Sequence, residues 1–323
     1  MKRRNVCSHG GKRPVGGNVI GESGKDGLLY GRILKGIGGF YYVDEGGGGS
    51  LWECRLRGRF RREKQEVLPG DMVSFAVVDK GKRKGIVEAV EPRKNRLIRP
   101  TVANVDQALV VLAADSPPPD LWLLDRLLLM IDAEDVEPLI CWNKIDLVSE
   151  GELEGYRKPY EATGVAQVAT SAETLVGVDA LSERLKGRTT VLAGPSGVGK
   201  SSLLNQIEPG IALKTGEVSD KLGRGRHATR HVEWIPLSMG GWVADTPGFS
   251  QIVMPDIITS DKLALYFPEF EPYLEGCRFR SCLHDQEQDC GISQGVRDGG
   301  IDGGRYRRYL AFLQELTDRE TRY

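Results

Sequence analysis

The chain has 323 residues, 40% hydrophobic and 28% charged, a composition ordinary for a soluble globular protein and long enough for two or three domains with separate cores. No apolar run reaches the roughly 18 residues of a membrane span, so no membrane is expected as a partner. The net charge of −1 hides an asymmetry: residues 1–100 hold 22 Lys and Arg against 11 Asp and Glu, the remainder 22 against 34. A basic module ahead of an acidic one points to a polyanion such as RNA meeting the first, the bland alternative being a solvated basic surface.

The start, MKRRNVCSHGGKRP, is basic with no apolar stretch behind it. Residues 1–27 therefore read as a flexible basic arm rather than a secretory signal, and the expected location is cytoplasmic. Short alternating runs follow at Leu29–Leu34, Phe40–Val43, Leu51–Leu56, Met72–Val77 and Ile86–Val90, separated by glycine-rich turns. Five short strands within residues 28–96 predict a small closed β-barrel of the OB type, an architecture that commonly binds nucleic acid. Of its aromatics Tyr30, Phe40, Tyr41, Tyr42, Trp52, Phe60 and Phe75, more than half are expected in the core, with the others free to stack on bases.

From about residue 97 the pattern changes. Asp106–Asp115 reads as a buried strand and Pro118–Asp135 as a helix, with Leu121, Leu124, Leu128 and Ile131 at helical spacing. Further strands are predicted at Glu137–Trp142, Val165–Thr170, Thr189–Ala193, His231–Leu237 and Trp242–Asp245, and helices near Leu153–Thr163, Val178–Leu185 and Lys200–Gln206. This alternation builds a mostly parallel sheet covered by helices over residues 97–255. Residues 256–323 read as a third, mainly helical domain that ends in a charged helix near Arg305–Thr317. The fold class is thus multidomain α/β.

Four motifs fall at strand ends. NKID contributes Asn143, Lys144 and Asp146; the Asp146 carboxylate can accept both the N1–H and the exocyclic amine of guanine, a donor pair that adenine lacks. Thr170–Ala172 follows the next strand, where Ser171 and Ala172 would meet the base carbonyl. Between a strand and a helix stands G-x-x-x-x-G-K-S: Gly194, Pro195, Ser196, Gly197, Val198, Gly199, Lys200 and Ser201, with Ser202 behind. Its glycines let backbone N–H groups face phosphate oxygens, Lys200 would reach the β and γ phosphates, and Ser201 would ligate Mg²⁺. DTPG supplies Asp245 toward the metal and Gly248 toward the γ phosphate. A guanine nucleotide with Mg²⁺ is the expected ligand. Cys277, Cys282, His284 and Cys290 form C-x4-C-x-H-x5-C, a donor set for one structural Zn²⁺, whereas Cys7, Cys54 and Cys141 stand apart.

The usual GTPase order is phosphate loop, DTPG, NKID and TSA; here NKID and TSA come first. With RPTVANVDQ (Arg99–Gln107), GPSGVGKSSLLN (Gly194–Asn205), GRGRHATRH (Gly223–His231) and DTPGF (Asp245–Phe249), the chain resembles the circularly permuted GTPases of the RsgA (YjeQ) family over nearly its whole length beyond the arm. The resemblance implies GTP hydrolysis that assists maturation of the small ribosomal subunit, with GTP/GDP and the subunit's rRNA as partners, and the chain is expected to act as a monomer. Phe249 stands where many GTPases carry a water-orienting glutamine. Carried over by position, the resemblance assigns water orientation to His227 and a second Mg²⁺ ligand to Thr229; Ala228 departs from the family's usual threonine. The alternative is an RNA-binding switch in which GTP occupancy sets affinity and hydrolysis is incidental.

Overall fold

The computed structural model describes residues 27–46, 51–97, 100–210, 232–245 and 254–321. Strands β1 (Leu29–Ile37), β2 (Phe40–Asp44), β3 (Trp52–Leu56), β4 (Met72–Asp79) and β5 (Lys84–Val90) close into a barrel in the order β1-β2-β3-β5-β4 among the described residues. Pairing is antiparallel except between β3 and β5, and β1 closes the ring against β4. Alternation along the strands turns Ile33, Val43, Trp52, Cys54, Val73, Phe75 and Val87 inward, and Phe60 of the short helix α1 (Gly58–Arg62) joins them. That helix was not legible, because five residues reading GRFRR show no helical period.

Only Trp52, Phe60 and Phe75 of the seven aromatics are fully buried; Tyr30, Phe40, Tyr41 and Tyr42 are half-buried. Tyr41 nevertheless packs against the barrel core, so four of the seven contribute to it, as expected. Strand β2 reads FYYVD, and neighbouring strand residues point to opposite faces, so Phe40, Tyr41 and Tyr42 cannot all point inward.

A small ladder, β6 (Arg96–Leu97) with β7 (Val102–Ala103), joins the barrel to the larger sheet. Strand β8 (Gln107–Ala113) is buried at all seven residues, as a central parallel strand should be. Helix α2 (Leu121–Ala133) starts at Asp120, whose carboxylate accepts the N–H groups of Trp122 and Leu123, both at 3.0 Å. After β9 (Glu137–Asn143), helix α3 (Glu150–Arg157) is opened by a capping box of Ser149 and Glu152. The predicted helix to Thr163 continues beyond Arg157 as a 3-10 turn, because Pro159 removes an N–H from the α ladder.

Strand β10 (Ala166–Ala169), helix α4 (Val178–Leu185), strand β11 (Thr189–Ala193) and helix α5 (Lys200–Ile207) follow as expected. The last two strands, β12 (Trp234–Pro236) and β13 (Trp242–Asp245), form a hairpin. The strand predicted from His231 is shorter, Pro236 is confined to an edge, and His231 lies outside the described residues. The six described strands run β10-β9-β8-β11-β13-β12, parallel except for β12. One face packs Val110, Ile140 and Val191 under α2; the other packs Val111, Cys141 and Leu192 under α4 and α5.

Beyond the sheet lie α6 (Glu271–Leu274), α7 (Gly291–Arg297) and the long α8 (Gly303–Glu320). Their core of Phe267, Phe270, Tyr309, Phe312 and Leu316 also takes in Leu129 of α2, so this unit is built onto the sheet's helical layer. No helix among the described residues is long and apolar enough to cross a membrane.

Candidate functional site

Chain order runs outward from β8 in both directions, to β9 and β10 on one side and to β11 and β13 on the other. Ligands of such sheets bind at the carboxyl ends of the strands near the reversal point. The predicted site residues collect there: Asn143 ends β9, Thr170–Ala172 follow β10, the loop from Gly194 follows β11, and Asp245 ends β13 opposite Leu192.

The loop's shape is enforced by its neighbours. Gly194 has φ +127°, and a Cβ there would lie 2.1 Å from the Val111 carbonyl oxygen; Gly199 has φ +94°, and its Cβ would lie 2.3 Å from Asn143 Nδ2. Asn143 is buried and donates from Nδ2 to Val198 O at 2.8 Å, while its Oδ1 accepts the Thr170 hydroxyl at 3.1 Å. The Thr170 N–H donates to Trp142 O at 2.8 Å, and the Ile145 N–H to Thr170 O at 3.2 Å. The two loops on the base side are thereby fixed to the phosphate-side loop through one amide. The sequence suggests Asn143 as a brace of the loop and the base edge; its partners Val198 and Thr170 emerge only in the structure.

Lys200 Nζ donates to the Gly194 and Pro195 carbonyls at 2.9 and 2.7 Å, folding its stem across the loop. Lys144 takes the left-handed conformation (φ +61°) and its ammonium donates to Ser116 O, which projects the exposed Asp146 from the turn Ile145–Leu147. Ser171 is buried, and its hydroxyl caps the Thr174 N–H at 3.0 Å. Ala172 is half-buried, and its carbonyl accepts from Gln206 at 3.2 Å. Ser196 and Gly197 are exposed, Val198 is buried, and Ser201 and Ser202 are half-buried in the first turn of α5. Of Asp245 only the backbone is described; His227, Thr229 and Gly248 lie outside the described residues.

The second constellation also assembles. The ligand atoms of Cys277, Cys282, His284 and Cys290 lie within 4.8 Å of one another, and His284 Nδ1 is 3.5 Å from both Cys277 Sγ and Cys290 Sγ. Bonds of ~2.3 Å to sulfur and ~2.0 Å to nitrogen give a tetrahedral S···N edge of about 3.5 Å, so the set fits a four-coordinate metal. Burial pushes the His284 imidazole below its usual value, toward the neutral form that ligates metals, and the Cys282 thiol up to about 12. The surrounding loop is held by Glu287, which accepts the Leu283 and Asp285 N–H groups at 2.6 and 2.9 Å. Tyr306 and Tyr309 of α8 donate to His284 O and Leu283 O, both at 2.7 Å. Cys54 and Cys141 are buried and separate from this cluster, and burial pushes both thiols up to about 12.

A third cluster had not been foreseen. Asp125 of α2 accepts Tyr160 OH at 2.7 Å and Arg305 Nη1 at 2.6 Å on one oxygen, and Arg308 Nε on the other. Arg305 also pairs with Glu269 through Nε. Asp125, Glu269, Arg305 and Arg308 are all buried. The signal was present: Asp125 lies on the stripe of Leu121, Leu124 and Leu128, where an unpaired charge would not be tolerated.

Comparison with known proteins agrees with this geometry. The family model described as RsgA GTPase matches residues 90–255, and the RsgA N-terminal domain matches residues 30–87. A protein of Moorella thermoacetica named "Small ribosomal subunit biogenesis GTPase RsgA" is 50% identical over 292 residues, 90% of this chain and 99% of that one. One of the same name from Geobacillus thermodenitrificans is 45% identical over 299 residues, 92% and 100% of the two chains. The solved structure of YjeQ from Thermotoga maritima superposes with a TM-score of 0.76 at 34% identity, covering 89% of this chain and 98% of that one. YloQ, described as a circularly permuted GTPase, gives 0.73 at 37% identity over 90% and 96%. The chain belongs to the RsgA GTPase family and, with it, is a circularly permuted GTP hydrolase.

Proposed function

We propose that the chain assists late maturation of the small ribosomal subunit, binding the subunit and its rRNA in the GTP state and leaving after subunit-stimulated hydrolysis. The observation that carries this is the Asn143 bridge, which locks a guanine-selective segment to a phosphate loop beside a barrel from the chain's basic part. The relatives' names supply the subunit. In this reading the chain divides into a basic arm (1–27), an RNA-binding barrel (28–96), the GTPase domain (97–255) and a zinc-binding domain (256–323), and it works as a cytoplasmic monomer.

Asp146 reads guanine, with Asn143, Lys144, Ser171 and Ala172 shaping the base pocket. Residues Gly194–Ser202 hold the phosphates, and Asp245 and Gly248 face the γ phosphate. Ser201 and Thr229 would hold Mg²⁺, which neutralises phosphate charge when bound. His227 orients the attacking water, a task Phe249 cannot perform. Zn²⁺ at the Cys/His cluster would be structural, since four protein donors leave no open position.

Co-sedimentation with purified small subunits tests the proposal. A non-hydrolysable GTP analogue should carry the protein into the subunit pellet and GDP should release it. Equal pelleting with both nucleotides would defeat the proposed cycle.

A further inference from the structure

Strand β1 joins the barrel to the GTPase sheet through an irregularity. Its register with β2 shifts between Ile33 and Lys35, and such a bulge re-aims a side chain. Ile33 fills the barrel core, whereas Leu34 enters the apolar cluster that contains Trp234 and Ala244 of the β12–β13 hairpin. Two cations flank it. Arg32 is buried with its guanidinium 4.4 Å from the centre of the Trp242 ring, and Lys35 Nζ lies 2.6 Å from Glu233 Oε1. Arg32 Nε and Trp242 Nε1 have no hydrogen-bond partner among the described residues; the guanidinium is held by the ring's π face and by Asn104 O, which accepts from Nη1 at 3.5 Å. Burial pushes the Arg32 pKa down to about 10 against the pull of Asp106, Asp44 and Asp71, so the group stays charged near neutrality.

The hairpin's register shows what these contacts reach. Trp234 pairs with Ala244 and Pro236 with Trp242, so Glu233 stands at the end of the hairpin where Asp245 follows Ala244. Arg32 grips the opposite end, at the start of β13. Displacement of the barrel against the sheet is therefore delivered to the strand that carries Asp245. Packed interfaces convert small shifts into discrete rearrangements.

We propose that Arg32 and Lys35 are positioning residues through which engagement of the barrel by rRNA is passed to Asp245, setting the rate of subunit-stimulated GTP hydrolysis. This rests on the proposed function above. The Lys35–Glu233 pair is partly exposed, so reversing it spares the fold, while a coupling of its size changes a rate up to about fivefold. The test measures GTP turnover of the full-length protein against small-subunit concentration for wild type, Lys35→Glu, Glu233→Lys and the double reversal. Each single variant is expected to lower the saturating turnover about fivefold, and the double reversal to restore it. Saturating turnover equal in all four proteins, or a loss that the double reversal does not repair, would overturn the inference. A change confined to the half-saturating concentration would also overturn it, assigning Lys35 to RNA contact. A wild type that subunits do not stimulate would remove the functional proposal and the coupling together, which separates the two failures.

Discussion

Asn143 has two structural tasks besides any contact with the base, since its amide group supports Val198 O and the Thr170 hydroxyl. Asn143→Ala would take the amide donor from Val198 O and leave the Thr170 hydroxyl with Cys141 Sγ alone, at about 1–3 kcal/mol. We expect lower stability in urea together with weaker binding of a fluorescent GDP; unchanged stability would limit Asn143 to the base. Asp146 is exposed and should behave differently. Asp146→Asn replaces one acceptor with a donor, which suits the second carbonyl of xanthine, so affinity should move from GTP to XTP by roughly tenfold to a hundredfold at constant stability. Competition binding with both nucleotides measures this, and retained guanine preference would contradict the assignment. The motif residues were legible because loop chemistry follows local spacing: glycines at positive φ and a lysine after them. The clash that forbids a side chain at Gly199 was not, because it comes from Asn143, 56 positions earlier in the sequence.

Among the elements, α2 is the one whose sequence told least of its role. Its apolar spacing predicted a helix, and the start at Leu121 and end at Ala133 lie within three residues of the expectation. That Asp125 would anchor α8 depends on Arg305 and Arg308; as arginines flanking the Cys/His cluster they suggest rRNA contact from the sequence, but both are buried in ion pairs. Asp125→Asn should destabilise the protein by about 3–5 kcal/mol, because the buried Arg308 loses its counter-charge and Arg305 is left with Glu269 alone. Glu315→Gln, which breaks the half-exposed pair with Arg126, should cost no more than ~1 kcal/mol. Denaturant titration of the two variants compares them directly; equal effects would show that burial does not set the worth of these pairs. The metal loop adds a second support for α8 through Tyr306 and Tyr309. Treatment with a chelator should release one zinc per chain and expose residues 275–300 to protease, while nucleotide binding persists. Loss of nucleotide binding along with the metal would mean that the sheet and the terminal unit fold as one.

For the whole molecule, the permuted motif order places the segment after Asp245 ahead of the terminal unit. The buried Asp125–Arg305–Arg308–Glu269 cluster argues that the terminal unit moves with α2, and the barrel is tied to the sheet at Trp242 and Glu233. Fold class, the five barrel strands and both site constellations were legible from periodicity and motif spacing, whereas the order of the strands around the barrel was not. The joints between units were not, because each pairs a charged or aromatic residue with a partner 100 or more positions away. The central claim is a GTPase whose hydrolysis answers to the small ribosomal subunit, and its most direct test is GTP turnover by the zinc-loaded protein with and without purified small subunits. Slow turnover alone and many-fold acceleration by small subunits are expected, the acceleration being lost in His227→Ala. Equal turnover with and without subunits, under conditions where the protein still sediments with them, would contradict that claim and leave an RNA-binding switch in which hydrolysis is incidental.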